Sequence, residues 1–137
     1  MYSFVDYRIT DLELSNLKKQ GLKPIKVPQS KLLYDAIDGH VDIQLNILDK
    51  ESKTIIVHKD IEKVFLKELK KHSINFIFSS NSLNSKYPND IILNALITDK
   101  FIMHNIKYTD KNLLENCSTK KILNVSQGYT NCSVLNI

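Results

Sequence analysis

No apolar run in these 137 residues approaches the roughly 20 consecutive residues that a membrane-spanning helix needs. A membrane partner is therefore not expected. Cysteine is scarce: Cys117 and Cys132 are the two, and they do not form a C-x-x-C. The opening "MYSFVDYRIT" is polar and charged by its sixth residue, unlike a secretory signal. A disulfide framework is not expected, and a cytoplasmic location is. The four histidines, His40, His58, His72 and His104, form no H-E-x-x-H and no close pair. No metal and no cofactor are expected.

What is present is lysine. The net charge of +4 comes from scattered lysines, densest in "LKKQGLK" and "KELKKHS". Both clusters fall on predicted helices, where they read as solvated faces. No aromatic residues interleave with them to stack bases, so nucleic acid is not an expected partner. With 42% hydrophobic and 25% charged residues, the sequence reads as a single globular domain over 1–137 with room for a core.

The sequence also repeats itself. "DIQLNIL" at 42–48 returns as "DIILNAL" at 90–96, identical at five of seven positions, with an offset of 90 − 42 = 48. A weaker echo, "CSVLNI", stands at 132–137, with cysteine in the aspartate slot. Mostly apolar and flanked by polar turns, the heptad reads as a buried strand. Asparagine is costly in such a strand unless it is bonded. Its recurrence as Asn46, Asn94 and Asn136 predicts one repeated role, a side-chain bond to an adjacent unit.

The neighbours of each copy follow one order. "TDLELSNLKKQG" predicts a helix, with Thr10 and Glu13 at capping-box spacing and Gly21 to end it. The strand "KPIKVP", a loop, the heptad, a turn and the strand "TIIVH" follow. The second unit predicts a helix in "DIEKVFLKELKKHS", with Ile61, Val64, Phe65 and Leu69 on one face. "NFIFSS", the heptad and "FIMHN" are its strands, with His58 and His104 near equivalent strand ends. The third has the helix "DKNLLENC", with Leu113, Leu114 and Cys117 inward, then "KILNVS" and "CSVLNI". About two and a half helix–strand–strand–strand units result, near 1–59, 60–108 and 109–137. The last is incomplete, and its final strand is expected to lack a neighbour.

Units of this order and length resemble the modules of the pentein fold, an α/β propeller (α+β in some schemes) shared by guanidino-group-modifying enzymes. "SKLLYDAIDGHVDI", "SKYPNDIILNA", "HNIKYTD" and "QGYTNCS" are similar to a bacterial branch related to those enzymes. The resemblance implies a cysteine-dependent hydrolase of the arginine deiminase or dimethylarginine hydrolase kind. It implies catalytic Cys132, His40 and Asp42, the latter two from the His-x-Asp of "GHVDI", and a small cationic guanidine-like ligand held at Asp90 and Asn89. In a pseudo-symmetric ring Asp42, Asp90 and Cys132 would face one axis. Carboxylates there would bind a cation, and a cation or imidazolium would favour thiolate.

Plainer readings stand beside these. Cys132 also reads as an inert buried thiol, His40 as a turn residue, and Asp42 and Asp90 as caps of backbone amides. The enzymes have five units, and their Gly-Gly-Asp segment is absent from a chain with three glycines. The expected fold is thus an incomplete pentein propeller. The expected function is that of a truncated or divergent relative, weak or inactive alone, with homo-oligomerisation through the open propeller edge. The alternative is a non-catalytic binding protein of the same fold.

Overall fold

The computed structural model describes residues 1–29, 41–80, 92–104, 109–124 and 135–137. In chain order its elements are β1 (Tyr2–Asp6), α1 (Asp11–Lys19), β2 (Lys23–Val27), α2 (Val41–Gln44), β3 (Leu45–Asp49), β4 (Thr54–Val57) and α3 (Lys63–Lys71). Then come β5 (Asn75–Phe78), β6 (Leu96–Ile97), β7 (Phe101–His104), α4 (Lys111–Asn116), β8 (Lys121–Asn124) and β9 (Leu135–Asn136).

Local chemistry explains where the helices start and stop. At the head of α1, Thr10 Oγ1 accepts from Glu13 N at 3.3 Å, and Glu13 Oε2 accepts from Thr10 N at 2.8 Å. Two otherwise orphaned amides are thereby satisfied. Past its end, Gly21 takes φ +79° and Leu22 N donates to Leu17 O. The end of α3 is built alike, with Ser73 at φ +55° and Ile74 N donating to Leu69 O. At α4 the Asp110 carboxylate caps Asn112 N and Leu113 N.

Among the described residues the strands form three sheets of three, ordered β2-β1-β9, β3-β4-β5 and β6-β7-β8. Each middle strand pairs parallel with the strand beyond its helix and antiparallel with its other neighbour. A parallel pair requires such a crossover. Pro24, which has no N–H to give, sits in the edge strand β2.

Core packing is a matter of layers. Phe65 and Leu69 of α3 are buried between Ile55 and Val57 of one sheet and Phe4 and Ile25 of another. Leu113 and Cys117 of the α4 segment are buried between Ile102 and Ile56, the latter on the opposite side of β4 from Ile55. These apolar pairs are spaced 113 − 65 = 48 and 117 − 69 = 48 apart, the interval of the heptads.

Several expectations need correction. The heptad is not all strand: Val41–Gln44 is one helical turn, and the strand starts at Leu45. In the second copy Ile92 and Leu93 lie in a turn, and the strand starts only at Leu96. Val64 points outward, 67% exposed, while Phe65 and Leu69 face in. The strand β1 was not expected from so polar an opening. It supplies the neighbour that the final strand was expected to lack: Ser3 pairs with Asn136 and Phe4 with Leu135. Tyr2 and Ile137 exchange backbone hydrogen bonds at 2.6 and 2.8 Å. β5 joins β3 and β4 in one sheet, and β8 joins β6 and β7 in another.

Candidate functional site

The two heptads meet through their polar side chains. Asp42 lies in the single turn of α2 and is buried. Its Oδ2 accepts from Asn94 Nδ2 at 2.6 Å, a contact 52 residues apart in sequence. Asn46 reaches the other way: its Nδ2 donates to Leu93 O at 2.9 Å and Ala95 O at 2.8 Å, and its Oδ1 accepts from Ile47 N. The asparagines thus bind each heptad to the other, but not in one repeated role: Asn46 donates to backbone carbonyls and Asn94 to a carboxylate. The side chain of Asn136 lies outside the described residues.

This junction is polar and buried. Asn94 is 5% exposed and Gln44 2%. Gln44 Nε2 donates to Pro28 O, which fixes its amide. Among the described residues, Asn94 Oδ1 and Gln44 Oε1 have no hydrogen-bond donor. Buried acceptors without donors are rare, and they suit a ligand that brings N–H groups.

Of the predicted site residues, the structure places Asp42 alone. His40, Asn89, Asp90 and Cys132 lie outside the described residues. Asn94 was read as structural, yet it is the direct partner of Asp42. The signal was present in its recurrence at a fixed slot. Cys117 is core, and burial pushes its thiol pKa up, with Lys120 opposing. Among the described residues no three histidine, cysteine or acidic side chains could hold a metal ion.

His58 and His104 sit at the ends of β4 and β7, both buried. His104 Nδ1 lies 3.1 Å from Thr109 Oγ1. His58 Nδ1 accepts from Asp60 N at 3.3 Å, so its proton belongs on Nε2. Burial lowers the His58 pKa to about 4, against a smaller upward pull from Asp60 and Asp110. Asp110 ties neighbouring elements together, accepting from Ser80 N and Ser80 Oγ in addition to capping α4. No described helix is long and apolar enough to cross a membrane.

The family described as "Family of unknown function (DUF6873)" matches residues 4–137. No curated protein matches the chain. A solved structure of C. jejuni agmatine deiminase is similar over 95% of this chain, with a TM-score of 0.55 and 19% identity. The chain spans 47% of that structure's length. At such identity the likeness is one of mixed α/β fold.

Proposed function

The chain belongs to the family of unknown function DUF6873, and we propose that it is a pentein-type relative of the guanidino-group-modifying hydrolases that binds a small guanidine-like cation. The observation that carries this reading is the buried contact between Asp42 and Asn94. A carboxylate and an amide oxygen are the acceptors a guanidinium needs, because its N–H groups are all donors. The fold likeness to agmatine deiminase supports it. The domain organisation proposed with it is a single domain over 1–137 with repeat units near 1–59, 60–108 and 109–137, the last incomplete.

The chemistry proposed for this site is nucleophilic. Cys132 thiolate adds to the guanidinium carbon, and the C–N bond to the leaving ammonia or amine breaks as His40 protonates that nitrogen. Water, deprotonated by His40, then adds to the S-bound carbon, and the C–S bond breaks, releasing the ureido product and the thiolate. Asp42 is the catalytic carboxylate beside His40, and Asp90 and Asn89 hold the ligand. A bound cation favours the thiolate. The second reading is a binding module without catalysis, which uses the buried acceptors of Asp42 and Asn94 and needs no nucleophile.

Cysteine labelling separates the two. Iodoacetamide should label Cys132 faster than the buried Cys117, and agmatine or arginine should change the Cys132 rate. His40→Ala should alter its pH profile. Both thiols resisting until denaturation would end the catalytic reading. Calorimetric titration with agmatine, arginine and a neutral urea analogue tests binding itself. No heat with either cation would sink the ligand assignment, and Asp42→Asn should abolish any heat seen.

A further inference from the structure

The helices α1, α3 and α4 are started in three ways. Thr10 caps α1 with a neutral hydroxyl. At α3 the cap position is Glu62, which makes no side-chain cap bond. At α4 it is Asp110, a carboxylate with 0% exposure. Burying a charge is costly, and serine or threonine would cap a helix without that cost. Capping alone therefore does not explain Asp110.

The other bonds of Asp110 reach out of the helix. Oδ2 accepts from Asn112 N at 3.0 Å and Leu113 N at 3.3 Å, which is the cap. Oδ1 accepts from Ser80 N at 3.0 Å and Ser80 Oγ at 2.7 Å, just past the end of β5 and 30 residues away. Beside it, Asn112 Nδ2 donates to the carbonyl of Phe78, the last residue of β5, at 3.1 Å. The N–H of Asp110 donates to Ile92 O at 2.8 Å. One residue thus joins the end of β5, the head of α4 and the turn at Ile92 and Leu93.

That turn leads into the candidate site. Asn46 Nδ2 donates to Leu93 O and Ala95 O. With Asp110 on Ile92 O, the carbonyls at 92, 93 and 95 are each held, and Asn94 lies between them. Ile92, Leu93 and Ala95 are also buried. A backbone held on both sides of Asn94 limits where its amide can reach. Nδ2 meets Asp42 Oδ2 at 2.6 Å, and Oδ1 has no donor among the described residues.

We infer that Asp110 is a positioning residue for this site. Its carboxylate anchors α4 to β5, and its N–H carries that anchorage to the turn that aims Asn94. It acts through Asn94 and not on the ligand. The expected effect on ligand affinity rests on the guanidine-binding reading, whereas the hold on Asn94 does not.

Two full-chain variants test it, each under conditions where it is folded. Asparagine caps a helix as well as aspartate, so Asp110→Asn leaves α4 capped and turns an N–H2 toward Ser80 in place of an oxygen. Ser80→Ala removes one donor from the clamp and leaves the cap untouched. In NMR spectra without ligand, the Asn94 side-chain amide signals should move in both variants, further in Asp110→Asn, and their protons should exchange faster. In calorimetry, agmatine should bind Asp110→Asn about two- to tenfold more weakly than wild type. Thr10→Ala, which removes the α1 cap, is the control: it should lower the urea midpoint and leave both readouts unchanged. A wild type that gives no heat with agmatine overturns the guanidine reading, and the amide signals still decide the hold on Asn94. Asn94 signals that stay in place in both variants overturn the inference, whatever the loss of stability, and leave Asp110 a helix cap. Signals that move while wild type and variant bind agmatine equally overturn the role in the site. If Asp110→Asn does not fold, Ser80→Ala decides by the same signals.

Discussion

Asn46 is the residue on which the junction of the heptads turns. Its amide gives both N–H bonds to backbone carbonyls of the second copy and receives one from Ile47 N. Asn46→Ala removes all three and leaves buried polar groups short of partners. A loss of about 2–4 kcal/mol in urea unfolding is expected. His58 sets a different test. It is neutral when folded, with a pKa of about 4, against the ordinary value of 6.5 when unfolded. Above pH 6.5 neither state is charged and nothing is lost. Between pH 6.5 and 4 the unfolded state gains a proton that the folded state refuses. Stability should therefore fall across that window, by about 3 kcal/mol in full. Unfolding measured at half-unit steps from pH 7 to 4 should show this slope, and His58→Gln should flatten it. Asn46 and Asn94 were legible in the sequence because asparagine in an apolar run needs a reason. That Asn94 would bond the carboxylate of Asp42 was not legible. It depends on a register between segments 52 residues apart.

At the scale of elements, the helices were legible and the strands less so. A capping box is written in adjacent residues, so Thr10 and Glu13 announce α1 by themselves. Strand β1 is defined by its two partners, and nothing in "YSFVD" names them. The heptad misled for a related reason. Its apolar residues suit a buried turn as well as a buried strand, and only the hydrogen bonding of Leu45 onward decides. Val64 shows the limit of helical periodicity: one position off the stripe occupied by Phe65 and Leu69, it faces water. Helix ends offer the element-scale prediction. Ser73 holds the left-handed conformation that Gly21 holds after α1. Ser73→Gly should relieve that strain and raise stability by about 0.5–1 kcal/mol, read as a higher urea midpoint at unchanged slope.

At the scale of the molecule, three sheets share one strand order, and the third interval of that order is filled by opposite ends of the chain. Removing residues 135–137 should release the mutual bonds between Tyr2 and Ile137 and expose the apolar surface that Ile137 covers. A loss of about 2–4 kcal/mol is expected, with β1 amides exchanging faster in hydrogen exchange than those of β4. The repeat was legible as the 48-residue offset of the heptads, and the buried helix residues Phe65 and Leu113, and Leu69 and Cys117, keep the same spacing. The pairing of β9 with β1 was not, since the first strand carries no copy of the motif.

That pairing also sets a clock. Within β1, the bonds to β2 join residues about 20 apart and can form early in synthesis. The bonds to β9 must wait for residue 137. At roughly 5–20 residues per second, the free edge of β1 stays bare for on the order of ten seconds on every nascent chain. Over that interval the exposed strand is a template for any other extended segment, including the β1 of a neighbouring polysome product. Slowing translation lengthens the interval, so misassembly during expression should depend on the rate of synthesis as well as on the amount made.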